Sequence, residues 1–314
     1  MGELSQAIGK KLENFGSNLF TNLNWQVLAQ NLQLDCTRST HKSSTAKSGK
    51  KATHGIDILQ GFYNPFTNRK EAVIVECKHH LWSDFIPSKL NVWIEELVNT
   101  IECASVSPTV VPYLSEHTLT TGILLFNSSD NKYESKKALE SLSKVIVPRR
   151  RNPVMIYLAD TDQLEKWYSL NKEITSIKES NKEHNFGIIY PSIGGSNWER
   201  TAVITPSYLF SDFILSAYTK KIEVMDCTKK IDVKSIFCFD KINEDSLLYL
   251  HDMINNLQLE ARSERHQEIH IYFYPETAND TSFIKDCFNR MIGADKPTFK
   301  IKFLDNRRLS PVAY

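Results

Sequence analysis

Residues 72–75, Ala-Val-Ile-Val, run without a break into Glu76-Cys77-Lys78, and this junction limits the possible folds more than any other feature of the chain. A short, uninterrupted apolar run suits a strand buried on both faces, inside a sheet covered by helices. Charges at the end of such a strand are costly unless they are paired, hydrogen-bonded or bound to a metal. Side chains alternate along a strand, so Glu76 and Lys78 share one face and Cys77 takes the other. A second carboxylate, Asp57, follows Gly55-Ile56 and opens an apolar run 19 residues before Glu76. Between the two runs, NPFTNRK (64–70) has the composition of a turn. A hairpin therefore brings Asp57 and Glu76 onto neighbouring strands.

Two hard oxygen donors with room for water suit Mg²⁺, with Mn²⁺ able to substitute, and the backbone carbonyl of Cys77 lies close enough to be a third ligand. Lys78 then sits beside the ion and its bound water. A neighbouring cation lowers a lysine's pKa, so Lys78 is placed to orient or deprotonate that water. In this arrangement Asp57 and Glu76 hold the metal, and the metal stabilises a pentacovalent phosphate. The plainer readings are a same-face Glu76–Lys78 ion pair at a sheet edge, worth little, and an Asp57 that caps the turn after Gly55. The central-strand character of 72–75 opposes the first, and the downstream Glu-x-Lys opposes the second. His79 and His80 either assist a metal or phosphate or are plain surface. Lys89 faces the site, Trp93 belongs to the core, and Glu96 is a supporting group or part of a solvated helix face.

The rest of the chain reads as α/β. Apolar positions Ile8, Leu12, Phe15, Leu19, Phe20 and Leu23 form the stripe of an amphipathic helix over 5–23. A short strand at Trp25–Leu32, the hairpin, a helix from Pro87, and alternating strands and helices follow to residue 170, giving a mixed central sheet flanked by helices. The polar segment 171–185 is expected to be a linker. Residues 186–314 read as a second α/β domain, with strands at 235–239, 270–274 and 299–304 and helices at 244–259 and 280–292. Its Gly194-Gly195 lacks the context of a nucleotide loop. This domain is the expected dimer or partner contact.

Six cysteines without a CxxC pair argue against zinc and against a disulfide framework. The N-terminus has no apolar core of the signal-peptide kind and no stretch suits a membrane span, so a soluble cytoplasmic protein is expected. Net charge is +1, but the charge is unevenly spread. Residues 37–54 carry Arg38, Lys42, Lys47, Lys50 and Lys51 and no acid, and Arg149-Arg150-Arg151 form a second cluster. These eight side chains are candidates for a phosphate-binding face, against the alternative of a solvated loop.

Gly55-x-Asp57, a hairpin and Glu76-x-Lys78 followed by a helix resemble the PD-(D/E)xK nuclease superfamily, most closely its Mrr-like restriction endonuclease branch and the archaeal Holliday junction resolvases. The resemblance covers residues 1–170 by order of elements and is sharpest over 55–78. It implies a restriction-endonuclease-like core and a metal-dependent DNA endonuclease that leaves a 5′-phosphate. It also implies a homodimer, with a setting in restriction or antiphage defence beside a protein partner subunit. In that family a glutamate on the first helix often completes the site. Glu13 matches this position, with Glu3 a weaker candidate, and Ile56 stands where a proline is usual. The alternatives are a catalytically silent nuclease-fold subunit, which predicts a missing ligand, and a junction resolvase or repair nuclease of the same chemistry.

Overall fold

The computed structural model describes residues 2–42, 49–130, 132–180, 185–190, 200–224, 227–257, 259, 267–274, 282–287, 290 and 299–305, with backbone alone at 2–9, 224 and 227. Lys47, Gly194-Gly195, the Glu3 side chain and much of 280–292 lie outside the described residues. The chain divides into two compact units between Glu165 and Lys166.

The first unit is built on a five-stranded sheet in the order β1-β2-β3-β4-β5, comprising β1 (Gln26–Asp35), β2 (Thr53–Asn64), β3 (Arg69–His80), β4 (His117–Ser128) and β5 (Met155–Ala159). β1, β2 and β3 pair antiparallel, while β3, β4 and β5 pair parallel, so the sheet is mixed as the sequence calls for. The β2–β3 turn falls at Asn64–Asn68. The Asn64 side chain accepts the N–H of Phe66 at 2.9 Å, and Asn68 adopts φ 55°, a left-handed conformation that asparagine tolerates. Ala72, Val73, Ile74 and Val75 are fully buried, because helices cover both faces of β3.

The two coverings follow from alternation along the strands. α2 (Pro87–Ala104) packs Leu97 and Ile101 over Gly122, where an added Cβ would lie 2.9 Å from Leu97 Cγ. Leu124, Phe126, Ala72 and Ile74 join α2 and Ala138 of α3 (Ser135–Leu142) in one core on that face. α1 (Gly2–Asn22) lies on the opposite face, with Gly16 close to Leu125 and Ile58.

α4 (Thr161–Ser180) begins in the first unit and continues in the second. It occupies most of the segment expected to be a linker, because Leu170, Ile174 and Ile177 supply a buried helical stripe among the polar residues. The second unit holds a six-stranded sheet, β11-β10-β9-β8-β6-β7. Its strands are β6 (Gly187–Ile189), β7 (Arg200–Thr201), β8 (Phe213–Val224), β9 (Cys227–Cys238), β10 (Gln267–Phe273) and β11 (Phe299–Phe303). A short helix, α5 (Pro206–Leu209), precedes β8, and α6 (Glu244–Asn256) packs Leu247, Leu250 and Ile254 on Ile236, Ile269 and Ile271. Among the described residues no helix is long and apolar enough to cross a membrane.

Candidate active site

The β2–β3 ladder runs from Asn64 and Arg69 at the turn to Ile58 and Val75, and there it stops. The next residues are Asp57 and Glu76. Beyond this point β2 keeps its pairing with β1 from Ile56 back to Thr53, while β3 keeps its pairing with β4 from Glu76 to His80. The two strands therefore part where the carboxylates begin. The Cys77 N–H donates to Asp57 Oδ2 at 2.7 Å, so a side-chain carboxylate takes the place of a ladder carbonyl. In an extended strand both backbone polar groups of one residue turn to the same neighbour, which directs the Cys77 carbonyl toward this gap as well.

Glu76 and Lys78 share a face, and Lys78 Nζ donates to Glu76 Oε1 at 2.5 Å. The two side chains are only 16% and 18% exposed, so this is an inward pair and not a sheet-edge ornament. Glu13 reaches the same place from α1. Gly16, one turn further along the helix, would press an added Cβ to 3.0 Å from Leu125, so its lack of a side chain lets α1 settle onto the sheet. That close approach brings the half-buried Glu13 within electrostatic range of Asp57 and Glu76.

The four groups perturb one another. Burial raises the Glu13 carboxyl above its ordinary range, Glu76 adds to the effect, and Lys10 opposes it. Burial also raises Asp57, against the Cys77 hydrogen bond and the Lys78 charge, with Glu13 adding. Glu76 is raised by burial, opposed by Lys78 and reinforced by Asp57. For Lys78, burial acts downward but is outweighed by Glu76, Asp57 and Glu96, so the ammonium is held above its ordinary value. Three carboxylates against one ammonium leave two negative charges uncompensated, the complement of a divalent cation, and the donors are hard oxygens. The residues fit such an ion.

Flanking residues fall into distinct roles. His80 stacks on Trp93 with ring centroids 5.0 Å apart and contacts Asp84 at 3.3 Å, and Asp84 in turn accepts from Lys89 at 2.5 Å. His79 lies 3.4 Å from the Asn127 amide. Trp93 is core, 8% exposed, as expected. Glu96 acts electrostatically on both Glu76 and Lys78 while Lys51 Nζ sits 3.2 Å from it. Sequence periodicity alone leaves Glu96 on a solvated face, and only the seating of α2 reveals its position.

The two basic clusters, about a hundred residues apart in sequence, converge over α2. Arg38, Arg150 and Arg151 line one concavity of about 580 Å³ together with Glu95 and Glu102. Arg38, Lys42, Lys50, Arg149 and Arg151 are exposed. Arg150 is engaged within the chain, its Nε donating to Glu102 Oε2 at 3.1 Å and its Nη2 to Asn99 Oδ1 at 2.9 Å. Lys51 is likewise engaged, with Glu96.

Residues 1–163, just over half of the 314-residue chain, match the family model described as the GAPS4 protein PD-(D/E)XK nuclease domain. No curated protein matches the chain.

Proposed function

The chain belongs to the GAPS4-type PD-(D/E)XK nuclease domain family, and from that premise we propose that it is a Mg²⁺-dependent endonuclease acting on DNA. The observation that carries this reading is the parting of β2 and β3 at Asp57 and Glu76, with the Asp57 carboxylate tethered to the Cys77 N–H beside the Glu76–Lys78 pair. Asp57, Glu76 and the Cys77 carbonyl would hold the ion, with Glu13 completing the shell. When bound, Mg²⁺ supplies Lewis-acid polarisation of the scissile phosphate and a lowered pKa for coordinated water.

The chain's own residues do the remaining work. Asp57 is fixed by its 2.7 Å bond from Cys77, so its second oxygen is pre-aimed at the gap and needs little reorganisation. Lys78 presents an ammonium donor beside Glu76 and orients the attacking water. To act as a base it must surrender a proton, which Glu76, Asp57 and Glu96 oppose for as long as their charges are uncompensated. Glu96, with Lys51 against it, tunes this balance from α2. Arg38, Lys42, Lys50, Arg149 and Arg151 offer exposed positive charge to a phosphodiester backbone.

A catalytically silent subunit would be expected to lack one of these groups, and all of them are present. A homodimer with one site per strand, a protein partner, and a setting in antiphage defence complete the proposal, and they rest on the family resemblance. The test is cleavage of duplex DNA by the full chain with Mg²⁺, Mn²⁺ or EDTA, followed by labelling of the new ends. Metal-dependent cleavage that leaves 5′-phosphates, and is lost in Lys78→Ala with unchanged circular dichroism, supports the reading. Cleavage by Lys78→Ala at the wild-type rate would remove Lys78 from the site.

A further inference from the structure

Cys36 at the end of β1, His41 in the basic insertion, His54 on β2 and Cys103 near the end of α2 converge at a place separate from the carboxylates. One donor atom from each lies within 4.8 Å of all the others. The His41 Nδ1 is 3.4 Å from Cys36 Sγ and 3.5 Å from Cys103 Sγ, and the two sulfurs are 4.0 Å apart. A tetrahedral zinc with Zn–S of about 2.3 Å and Zn–N of about 2.0–2.1 Å requires sulfur–sulfur separations of about 3.8 Å and sulfur–nitrogen separations of about 3.6 Å. The three contacts match these edges. His41, His54 and Cys103 are at most 4% exposed.

The second layer of contacts fixes both histidines in the tautomer a metal needs. His41 Nε2 lies 3.2 Å from Glu102 Oε2, so its proton belongs on Nε2 and the Nδ1 lone pair points at the sulfurs. The same Glu102 oxygen accepts from Arg150, which anchors the carboxylate. On the other histidine, Nδ1 lies 3.4 Å from Thr100 Oγ1, whose own proton goes to the Glu96 carbonyl at 2.8 Å. Thr100 therefore accepts from Nδ1–H, and the lone pair of His54 falls on Nε2. That atom is buried, on a side chain 1% exposed, and has no hydrogen-bond partner among the described residues. An orphaned buried nitrogen of this kind needs an explanation. Cys103 Sγ accepts both the N–H and the hydroxyl of Thr37 at 3.4 Å, which holds the sulfur in place. Carboxylate–histidine pairs and hydrogen bonds to sulfur are the usual outer shell of zinc sites.

We propose that Cys36, His41, His54 and Cys103 form a structural zinc site that fastens the basic insertion to β1, β2 and α2. Two thiolates and Zn²⁺ are together neutral, which suits a buried place, and two sulfurs with two imidazoles select zinc over hard cations. The absence of a CxxC pair argues against zinc in the sequence, but the ligands are recruited from three separate elements and an insertion. His54 precedes Asp57 by three residues on β2, about 10 Å along the strand. The zinc would thus set the end of the strand that carries Asp57. The proposal does not depend on the nuclease reading.

The test is the metal content of the full chain purified without added chelator, followed by replacement of the metal with Co²⁺. One zinc per chain and the intense visible absorption of tetrahedral thiolate-bound cobalt are expected. Asp57→Asn should keep both, whereas Cys36→Ser with Cys103→Ser should lose both. Glu102→Gln should weaken zinc about 10–100-fold in competition with a chromophoric chelator, as loss of a positioning residue does. If the double cysteine variant fails to fold, the wild-type cobalt spectrum decides alone. Wild-type protein with neither zinc nor a tetrahedral cobalt spectrum overturns the proposal, as does full zinc retention in a folded double cysteine variant.

Discussion

Asp57→Asn should remove cleavage and at the same time stabilise the metal-free protein. Asparagine keeps the shape of the side chain, and its amide oxygen still accepts the Cys77 N–H that Asp57 holds at 2.7 Å. What it removes is a buried negative charge beside Glu13 and Glu76. The Asp57 carboxyl is raised, chiefly by burial, even though Cys77 and Lys78 pull it down. A carboxylate raised on folding weakens the folded state at pH values above its unfolded pKa, so neutralising it returns stability at pH 7. Single stabilising substitutions, those that improve charge balance among them, commonly yield about 0.5–2 kcal/mol. A unit of this size melts about 2–4 °C higher per kcal/mol, so Tm in EDTA should rise by about 3 °C for a gain near 1 kcal/mol. Saturating Mg²⁺ reverses the order, because binding to the folded state at 100 times Kd adds about 2.7 kcal/mol to the wild type and much less to the variant. The assay is a pair of melts, in EDTA and in Mg²⁺, beside a cleavage time course. A variant that melts lower than wild type in EDTA would refute the argument that the site carries uncompensated negative charge.

Gly122→Ala should cost about 1–3 kcal/mol, read as a lowered Tm, because its Cβ would lie 2.9 Å from Leu97 Cγ and force α2 away from β4. Replacing Arg38, Lys42 and Lys50 together by Gln should lower DNA affinity and flatten its logarithmic salt dependence by about 0.9 for each phosphate no longer neutralised, measured by fluorescence anisotropy; an unchanged slope would make the insertion a spectator. In the second unit, burial first, with Lys302 and Lys220, lowers His270 to about 4, while Glu268 is lowered to about 2 because hydrogen bonds from Lys220, His270 and Lys300 outweigh its burial. The His270 contribution is complete above about pH 6.5 and lost as pH falls toward 4, worth about 3 kcal/mol, and the Glu268 contribution follows between about pH 4.5 and 2. Hydrogen exchange of β10 amides across this range should show protection falling first near the histidine step, and a flat profile would contradict it.

The first unit is legible because its signals are local. The apolar run 72–75, the Asn-rich turn and the charges that end β3 all lie within one hairpin, and their alternation fixes which side chains share a face. The site's geometry is less legible. It depends on the ladder stopping after Ile58 and Val75, a register property that no single residue announces. In the second unit the long β8–β9 hairpin is hidden in the sequence because its tip is charged, with Lys221, Glu223, Lys229 and Lys230 exposed beyond a buried base. The polar residues of α4 suggest a linker because its buried stripe is sparse. The Cys36–His41–His54–Cys103 cluster joins β1, an insertion, β2 and α2, so sequence spacing conceals it.

The most direct test of the account is cleavage of supercoiled plasmid by the purified full chain in Mg²⁺ and in EDTA, with wild type and Glu76→Ala side by side. The account predicts nicking by wild type in Mg²⁺ alone and none by the variant, whose Lys78 has lost its 2.5 Å partner and whose ion has lost a ligand. Equal nicking by the two proteins, or wild-type nicking that survives EDTA, would contradict it.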